Sequence, residues 1–248
     1  MRRLLLILLL SLAKQGMADP RLESANYADW RYMQRSFPGQ LQLDIAQLRF
    51  DFVRKLNDNL SSIWRVEPSL AASDIPTRSD NPQGQWHEGS GDTNLLAGLL
   101  HAPLPGFRVG LGVHAILPTA SSDNLGYGRY LLGPGAALEA DLPDGKGYLQ
   151  LTCRDLDDTG NGEANRRRQH ITQSTATLRV YLMPDWYAEY VPMYRRDQIS
   201  NKDFVANGVA IGLRLNRQLQ LSAGYSWATQ TEYMVFEHQS DARLVYRW

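Results

Sequence analysis

The sequence is poor in cysteine and, beyond its first residues, has no long hydrophobic run. Cys153 is the single cysteine among 248 residues, which excludes an intramolecular disulfide. Because Cys153 lies on the apolar face of an alternating segment, we expect a small buried hydrophobic side chain there. After Ala18, no continuous apolar stretch approaches the roughly 20 residues that a membrane helix needs. The sequence therefore predicts no membrane helix in residues 19–248.

The chain also has no excess of charge of either sign. The chain carries 26 basic and 26 acidic residues, whereas a nucleic-acid-binding domain has a clear basic excess. Removal of residues 1–18 would take away Arg2, Arg3 and Lys14 and no acidic residue, which leaves a net charge of −3. We therefore expect no nucleic-acid partner.

The first 18 residues have the pattern of a secretory signal peptide. Arg2 and Arg3 precede an unbroken apolar run over residues 4–10, and small residues follow before the expected cleavage point. The apolar run is too short to remain as a membrane anchor. We predict a cleaved signal peptide at residues 1–18 and one exported domain at residues 19–248.

What the sequence does contain is alternation of apolar residues with polar residues or glycine. This period of two is typical of strands with two different faces. At the C-terminus, Leu244, Tyr246 and Trp248 alternate with Arg243, Val245 and Arg247. The same pattern occurs in six earlier segments, at residues 107–117, 132–141, 148–154, 175–182, 208–215 and 219–227. Membrane strands distribute their hydrophobicity in this way.

The connections between these segments also alternate in length. Short turn-forming links such as Asn57–Asn59 and Pro143–Gly145 separate longer polar loops, predicted at residues 71–91, 119–129, 156–169, 197–203 and 229–240. Outer-membrane barrels have short periplasmic turns and longer outer loops. The sequence therefore predicts an all-β chain that forms a transmembrane antiparallel up-and-down β-barrel in the cell outer membrane.

The number of strands depends on the N-terminal third. Residues 42–55 and 60–70 fit a hairpin, although Ile45, Leu48 and Phe52 also have helical spacing. With residues 24–36 as a further strand, the chain has about 12 strands. The alternative is a ten-stranded barrel that is preceded by a periplasmic segment. A final strand ending on an aromatic residue makes the barrel-assembly machinery an expected partner.

The middle of the chain resembles a known family. The segments that carry the resemblance are Gly110-Leu-Gly112, Leu117-Pro-Thr-Ala120, Gly126-Tyr-Gly128, Tyr130 and Leu132-Gly-Pro-Gly-Ala136. They are similar to the hallmark segment of the outer-membrane family labelled for the meta-pathway of phenol degradation, which is described as a transporter family. The resemblance implies passive transport of small solutes, with hydrophobic or aromatic molecules among the candidates. It implies no catalytic residues and no cofactor.

Charged residues on the polar faces are the candidate site. Arginine on a lipid-facing surface near mid-membrane costs about 2–4 kcal/mol, so these residues should point into the barrel. They either line a pore and bind a polar or anionic solute, or fill a closed barrel with ion pairs. The candidates are Arg108, Glu139, Asp141, Arg154, Arg179, Glu189, Arg195, Arg214, Arg243 and Arg247.

Other chemistry finds little support in the sequence. A lipid hydrolase needs a base beside an exposed hydroxyl, and no His-x-Ser-Asn-Gly run occurs. The acidic segment from Asp155 to Glu163 suggests calcium, but Arg166 stands where a helix-loop-helix calcium site has glutamate. We therefore predict no enzyme, metal or cofactor. Outer-membrane lipid is an expected partner, and the arginines at 166–168 are placed to meet lipopolysaccharide phosphates.

Overall fold

The computed structural model describes residues 25–76, 81–122, 124–162, 168–232 and 235–248. The predicted signal peptide at residues 1–18 lies outside these ranges. Within them, the regular structure consists of β-strands and two short 3-10 turns, at Pro38–Gln40 and Pro143–Gly145. No described helix has the length and hydrophobicity that a membrane span requires.

The strands form one antiparallel sheet that closes on itself. In chain order they are β1 (Ala25–Ser36), β2 (Gln42–Asn57), β3 (Leu60–Glu67), β4 (Ser69–Ser73), β5 (His87–Ser90), β6 (Thr93–Leu104), β7 (Phe107–Leu117), β8 (Arg129–Asp141), β9 (Gly147–Gly162), β10 (His170–Tyr181), β11 (Trp186–Tyr190), β12 (Met193–Asp197), β13 (Lys202–Arg214), β14 (Leu219–Thr231) and β15 (His238–Arg247). Closure comes from β1, in which Trp30 lies opposite Leu48 of β2 and Leu244 of β15.

Three of the barrel strands are each interrupted once. Pro68 separates β3 from β4, residues 91–92 separate β5 from β6, and residues 191–192 separate β11 from β12. A proline cannot donate a backbone hydrogen bond to the next strand, which explains two of the breaks. The 15 segments therefore make a closed barrel of 12 antiparallel strands. The predicted fold class and strand number are confirmed, and the ten-stranded alternative is wrong.

The polarity of the barrel is the reverse of that in a water-soluble protein, since its outer surface is apolar and its inner surface is charged. Outward side chains are large and apolar, and Leu111, Leu70 and Ile211 are 66%, 64% and 50% exposed. Inward side chains include Asp29 and Arg108, which are 4% and 7% exposed. A continuous apolar exterior is unfavourable in water and favourable against lipid. The alternation read from the sequence therefore corresponds to a lipid face and a lumen face.

The C-terminal residues follow the predicted alternation. Tyr246 and Trp248 lie on the exposed face with their rings 6.0 Å apart, whereas Arg243 lies on the inner face. The Trp248 amide donates to the Asn26 carbonyl at 3.0 Å, so the last residue is hydrogen-bonded to the first strand. The C-terminus is thus part of the seam that closes the barrel.

Inward glycines make room for large neighbours. A Cβ atom on Gly212 of β13 would lie 2.0 Å from the Tyr187 ring, and one on Gly135 of β8 would lie 2.6 Å from the His114 ring. Only glycine therefore allows these two rings to lie against the adjacent strand. These inward glycines therefore accommodate the bulky side chains of neighbouring strands.

Several local predictions are wrong. The side chain of Cys153 is exposed on the lipid face, because a residue on the apolar side of a barrel strand points away from the lumen. The loop predicted from residue 156 begins later, since β9 continues to Gly162. By contrast, the strand predicted at residues 42–55 is confirmed, and the competing helical spacing there is not realised. The connection between β1 and β2, at residues 37–41, is short although it lies at the rim with the longer loops.

A pair of leucine replacements tests which surface faces lipid. Leu111→Arg, near the middle of β7, is expected to lower the unfolding free energy in lipid vesicles by about 2–4 kcal/mol. Leu182→Arg is the matched control, because Leu182 is 57% exposed at a rim turn and the expected cost there is about 0–1 kcal/mol. Urea unfolding followed by tryptophan fluorescence measures both. Equal losses would contradict the membrane orientation.

Candidate functional site

All ten charged residues selected from the sequence lie on the inner face. Each is buried or half-buried, while the next residue along its strand faces outward or belongs to a rim. Their partners differ with position in the barrel. Some are held by carboxylates, and others contact amides or aromatic rings. This difference separates the inward arginines that pair with carboxylates from those that contact amides or aromatic rings.

The first ion-pair group joins the two ends of the chain. Arg243 of β15 donates to both oxygens of Asp29 on β1, from Nε at 2.8 and 2.9 Å and from Nη2 at 2.6 Å. On the neighbouring strands, Asp51 accepts from Arg49 and from Arg65 Nε at 2.6 Å. Of these five residues, only Arg243 was selected from the sequence. The other four residues also lie on alternating segments. They were not selected because the strand assignment of the N-terminal third was ambiguous.

Two further ion-pair groups lie between β7 and β11. Arg108 of β7 donates to Glu139 and, at 3.0 Å, to Asp141, both on β8. Arg179 of β10 donates through Nε to Glu189 of β11 at 2.7 Å. The guanidinium carbon of Arg179 lies 4.0 Å from the centroid of the Tyr187 ring. Cross-strand pairing of this kind fixes the register and fills the interior.

At the rim with the short turns, two arginines contact aromatic rings. The guanidinium carbon of Arg214 lies 5.5 Å from the centre of the Tyr181 ring. That of Arg247 lies 5.7 Å from the centre of the Tyr27 ring. Neither arginine makes an ion pair within the described part of the chain. A cation–π contact leaves the positive charge of each guanidinium group in place.

Toward the rim with the longer loops, Arg35, Arg154 and Arg195 form what we call the upper arginine cluster. Arg35 Nε donates to Gln239 Oε1 at 2.8 Å, and Arg154 Nη2 donates to Gln173 Oε1 at 3.0 Å. Arg195 Nη2 donates to the Tyr127 hydroxyl at 3.1 Å. Arg154 and Arg195 had been selected from the sequence, whereas Arg35 had not. The strand register places Gln173 directly between Arg154 and Arg195.

Two connections at this rim fold into the barrel. Tyr127, in the link between β7 and β8, packs against a cluster formed by Ile116, Leu131, Leu156 and Ile171. Phe236, just before β15, meets Phe204 edge-on with centroids 5.1 Å apart. Arg35 lies over the Phe236 ring at 5.7 Å. Loops thus bring the side chains of Tyr127 and Phe236 against the upper arginine cluster. Because loops have no sequence periodicity, these two residues could not be identified from the sequence.

The inward link before β8 is held by Asp92, which lies at the break between β5 and β6. The Asp92 carboxylate accepts from the amides of Tyr127 and Ala120, at 2.5 and 3.3 Å. Gly126 lies so close that a Cβ atom there would be 2.5 Å from Asp92 Oδ1. Gly128 has a φ of +63°, a conformation that glycine adopts without strain. The Gly126-Tyr-Gly128 motif is therefore the part of the loop that fits onto Asp92.

An apolar groove of about 460 Å³ lies on the outer surface near the break at Pro192. Its lining includes Cys153, Leu151, Met193 and Tyr194, all from segments whose neighbouring residues point into the lumen. A groove on the lipid face is filled by acyl chains once the barrel is in a membrane. We therefore do not place a solute site there, and the polar chemistry of the molecule lies on the opposite face of the same strands.

Three of the histidines, which the sequence raised as candidates for ester hydrolysis, have identified polar partners. His101 contacts the Asn59 carbonyl at 2.9 Å, His170 contacts Asp155 at 3.1 Å, and His238 contacts the Tyr225 hydroxyl at 2.8 Å. In the described ranges, no group of three or more His, Cys, Asp or Glu side chains is placed to hold a metal ion. Asp155 and Asp157 belong to β9, and Glu163 and Arg166 lie outside the described residues.

Comparison with known proteins gives structural neighbours only. No protein-family profile and no curated protein matches the sequence. A solved outer-membrane channel from Pseudomonas putida F1 matches with a TM-score of 0.74 and 17% identity, over 95% of this chain and 99% of that one. The NanC porin matches with a TM-score of 0.57 and 12% identity, over 88% and 97% of the two chains. The CymD monoaromatic hydrocarbon channel matches with a TM-score of 0.53 and 9% identity, over 92% and 89%.

At these identities the likeness concerns the fold. The structural likeness covers nearly the whole chain, including the N-terminal strands, which lie outside the segments that carry the sequence resemblance. The family resemblance read from residues 110–136 receives no support from a family profile. The protein is an all-β barrel of 12 antiparallel strands, with the fold of outer-membrane channels and porins.

Proposed function

We propose that this protein is a passive, non-enzymatic channel for small solutes in the outer membrane. One observation carries the proposal: the closed barrel has an apolar exterior and an interior lined by charged side chains from every part of its wall. The likeness to solved outer-membrane channels over 95% of the chain supports it. Passive transport needs no moving catalytic group, and the barrel itself provides the path.

The interior favours anions over cations. Arg214 and Arg247 line the rim with the short turns, and Arg35 and Arg154 lie toward the other rim. In the described residues none of these four makes an ion pair with a carboxylate, so their charge is not neutralised locally. Positive side chains that line a pore select anions. The carboxylates of the interior, by contrast, are bound mostly to arginines on the same or neighbouring strands.

The outer membrane location comes with two expected partners. We propose that β15 and Trp248 are recognised by the barrel-assembly machinery, because the final strand carries the aromatic residues on its lipid face. Lipopolysaccharide would contact the rim with the longer loops. Arg168, the described member of the basic run at 166–168, already contacts Asp157 at 3.4 Å. The hydrophobic or aromatic nature of the solute is likewise a proposal, and it is supported by the structural likeness to CymD, a monoaromatic hydrocarbon channel.

Planar bilayers test the channel directly. The refolded protein is expected to conduct and, in a potassium chloride gradient, to show a reversal potential displaced toward the chloride equilibrium potential. Arg214→Ala should reduce this displacement, because it removes an unneutralised charge from the rim. Arg54→Ala is the control, since Arg54 is exposed on the outer side of β2. A folded, heat-modifiable barrel without conductance would instead indicate a closed structural barrel.

A further inference from the structure

The upper arginine cluster differs from the rest of the interior in the partners of its arginines. In the middle of the barrel, Asp29 holds Arg243, and Glu189 holds Arg179. Arg35 and Arg154 are held by the neutral amides of Gln239 and Gln173, and in the described part of the chain neither lies within ion-pair distance of a carboxylate. Burial of a charged side chain without a counter-charge is costly. A buried arginine without a paired carboxylate is therefore expected where a bound anion supplies the counter-charge.

The three guanidinium groups of the cluster are directed at one place. Arg154, Gln173 and Arg195 stand in one row across β9, β10 and β12. Arg35 reaches the same region from β1, and all three arginines interact electrostatically with the Tyr127 side chain. Among the described residues, the buried Arg154 Nε atom has no hydrogen-bond partner. The hydrogen-bonding capacity of Arg154 is therefore only partly used within the protein.

The Tyr127 side chain responds to this concentration of charge. Burial alone would raise the pKa of the Tyr127 hydroxyl, but the positive charges of Arg195, Arg154 and Arg35 outweigh burial and lower it. The phenol oxygen accepts a hydrogen bond from Arg195 Nη2 at 3.1 Å. A carboxylate has two oxygens and accepts from two guanidinium groups at once, which a phenol oxygen does less well.

The surroundings of the cluster are apolar. Phe236 lies against Arg35, and Tyr127 lies against Arg195, both at 5.7 Å from the guanidinium carbon to the ring centre. Phe204 and Phe236 are 0% and 2% exposed, so they form a packed apolar wall next to the charges. A ligand that suits both features has one anionic group and an apolar body.

We propose that the upper arginine cluster is a binding site for small organic monocarboxylates with an apolar or aromatic body. The carboxylate would lie between Arg154, Arg195 and Arg35, and the body would lie against the ring of Tyr127. This inference rests on the proposed channel function, to which it adds the class of solute. It also identifies which of the inward arginines are available to a solute and which are bound within the wall.

Isothermal titration calorimetry of the detergent-solubilised barrel with sodium benzoate tests the site. Benzamide has the same body without the charge, and sodium chloride keeps the ionic strength fixed. Benzoate is expected to bind and benzamide is not. Arg154→Gln and Arg35→Gln should each weaken benzoate binding about 10- to 100-fold, since each removes a charged hydrogen bond. Arg154→Lys should lose less, because it keeps the charge but not the planar fork.

Arg217→Gln, at an exposed turn on the opposite rim, is the matched control and should bind benzoate like the unchanged protein. Heat-modifiable gel mobility verifies that every variant is folded. Equal binding of benzamide, or unchanged benzoate affinity in both glutamine variants, would overturn the proposed site. Calorimetry does not require conduction, so benzoate binding without conductance in planar bilayers would overturn the channel alone. Conductance without benzoate binding would overturn the site alone.

Discussion

Replacement of Asp29 by alanine is expected to lower the unfolding free energy of the barrel by about 3–5 kcal/mol. Asp29 is 4% exposed and accepts three contacts from Arg243, the shortest at 2.6 Å, with Arg49 at 3.9 Å. Its removal leaves Arg243 buried without its carboxylate, and desolvation of an unpaired charge is the costly part. The loss falls on β1 and β15, the two strands that close the barrel.

Urea unfolding in lipid vesicles measures this effect. Asp144→Ala is the matched control, because Asp144 pairs with Lys146 at an exposed turn, where a salt bridge contributes about 0–1 kcal/mol. Combining Asp29→Ala with Arg243→Met should restore much of the stability, since the second change removes the unpaired charge. If Asp29→Ala cost no more than Asp144→Ala, the ion pair at the seam would not stabilise closure.

The barrel could be predicted from sequence because its physics is local. A strand between lipid and lumen must alternate at every second residue, so each of β7 to β10 carries the signal independently. β2 was ambiguous because Ile45, Leu48 and Phe52 fit a helix as well as a strand. The pairing of β2 with β1 decides it, and β1 in turn is placed by β15, whose paired residues lie more than 200 positions away.

The candidate site was predictable only in part, for a different reason. Alternation assigns a side chain to the lumen but does not reveal its partner. Arg179 and Arg154 looked equivalent in the sequence, yet Glu189 neutralises one and Gln173 holds the other. Which of the two remains available to a solute depends on the register between strands. Register follows from the closed sheet and not from any one segment.

The inward loops lay beyond sequence analysis, since an irregular segment has no periodicity. The motif at Gly126-Tyr-Gly128 was visible as part of the family resemblance, but its sequence does not show what it contacts. In the structure Gly126 abuts the Asp92 carboxylate, which lies more than 30 positions earlier in the chain. The motif is explained by a contact that only the folded barrel brings together.

This contact leads to the second large expected effect. Asp92→Ala is expected to release the link that carries Tyr127 and so to raise the single-channel conductance, with larger current fluctuations. The Asp92 carboxylate, 8% exposed, accepts from the amides of Tyr127 and Ala120, and a hydrogen bond to a charged group contributes about 1.5–3 kcal/mol. A loss of about 3 kcal/mol raises the ratio of open to closed loop roughly 100-fold.

The barrel wall should be unaffected, because the strands keep their hydrogen bonds when the loop is released. Gly126→Ala is a second test that removes no charge, since its Cβ atom would collide with the Asp92 carboxylate and push the loop off. Asp58→Ala, at an exposed turn of the opposite rim, is the control and should conduct like the unchanged protein. Unchanged conductance in both loop variants would show that the Tyr127 link does not restrict the pore. An increase in both would identify Asp92 as the residue that holds the mouth of the channel narrow.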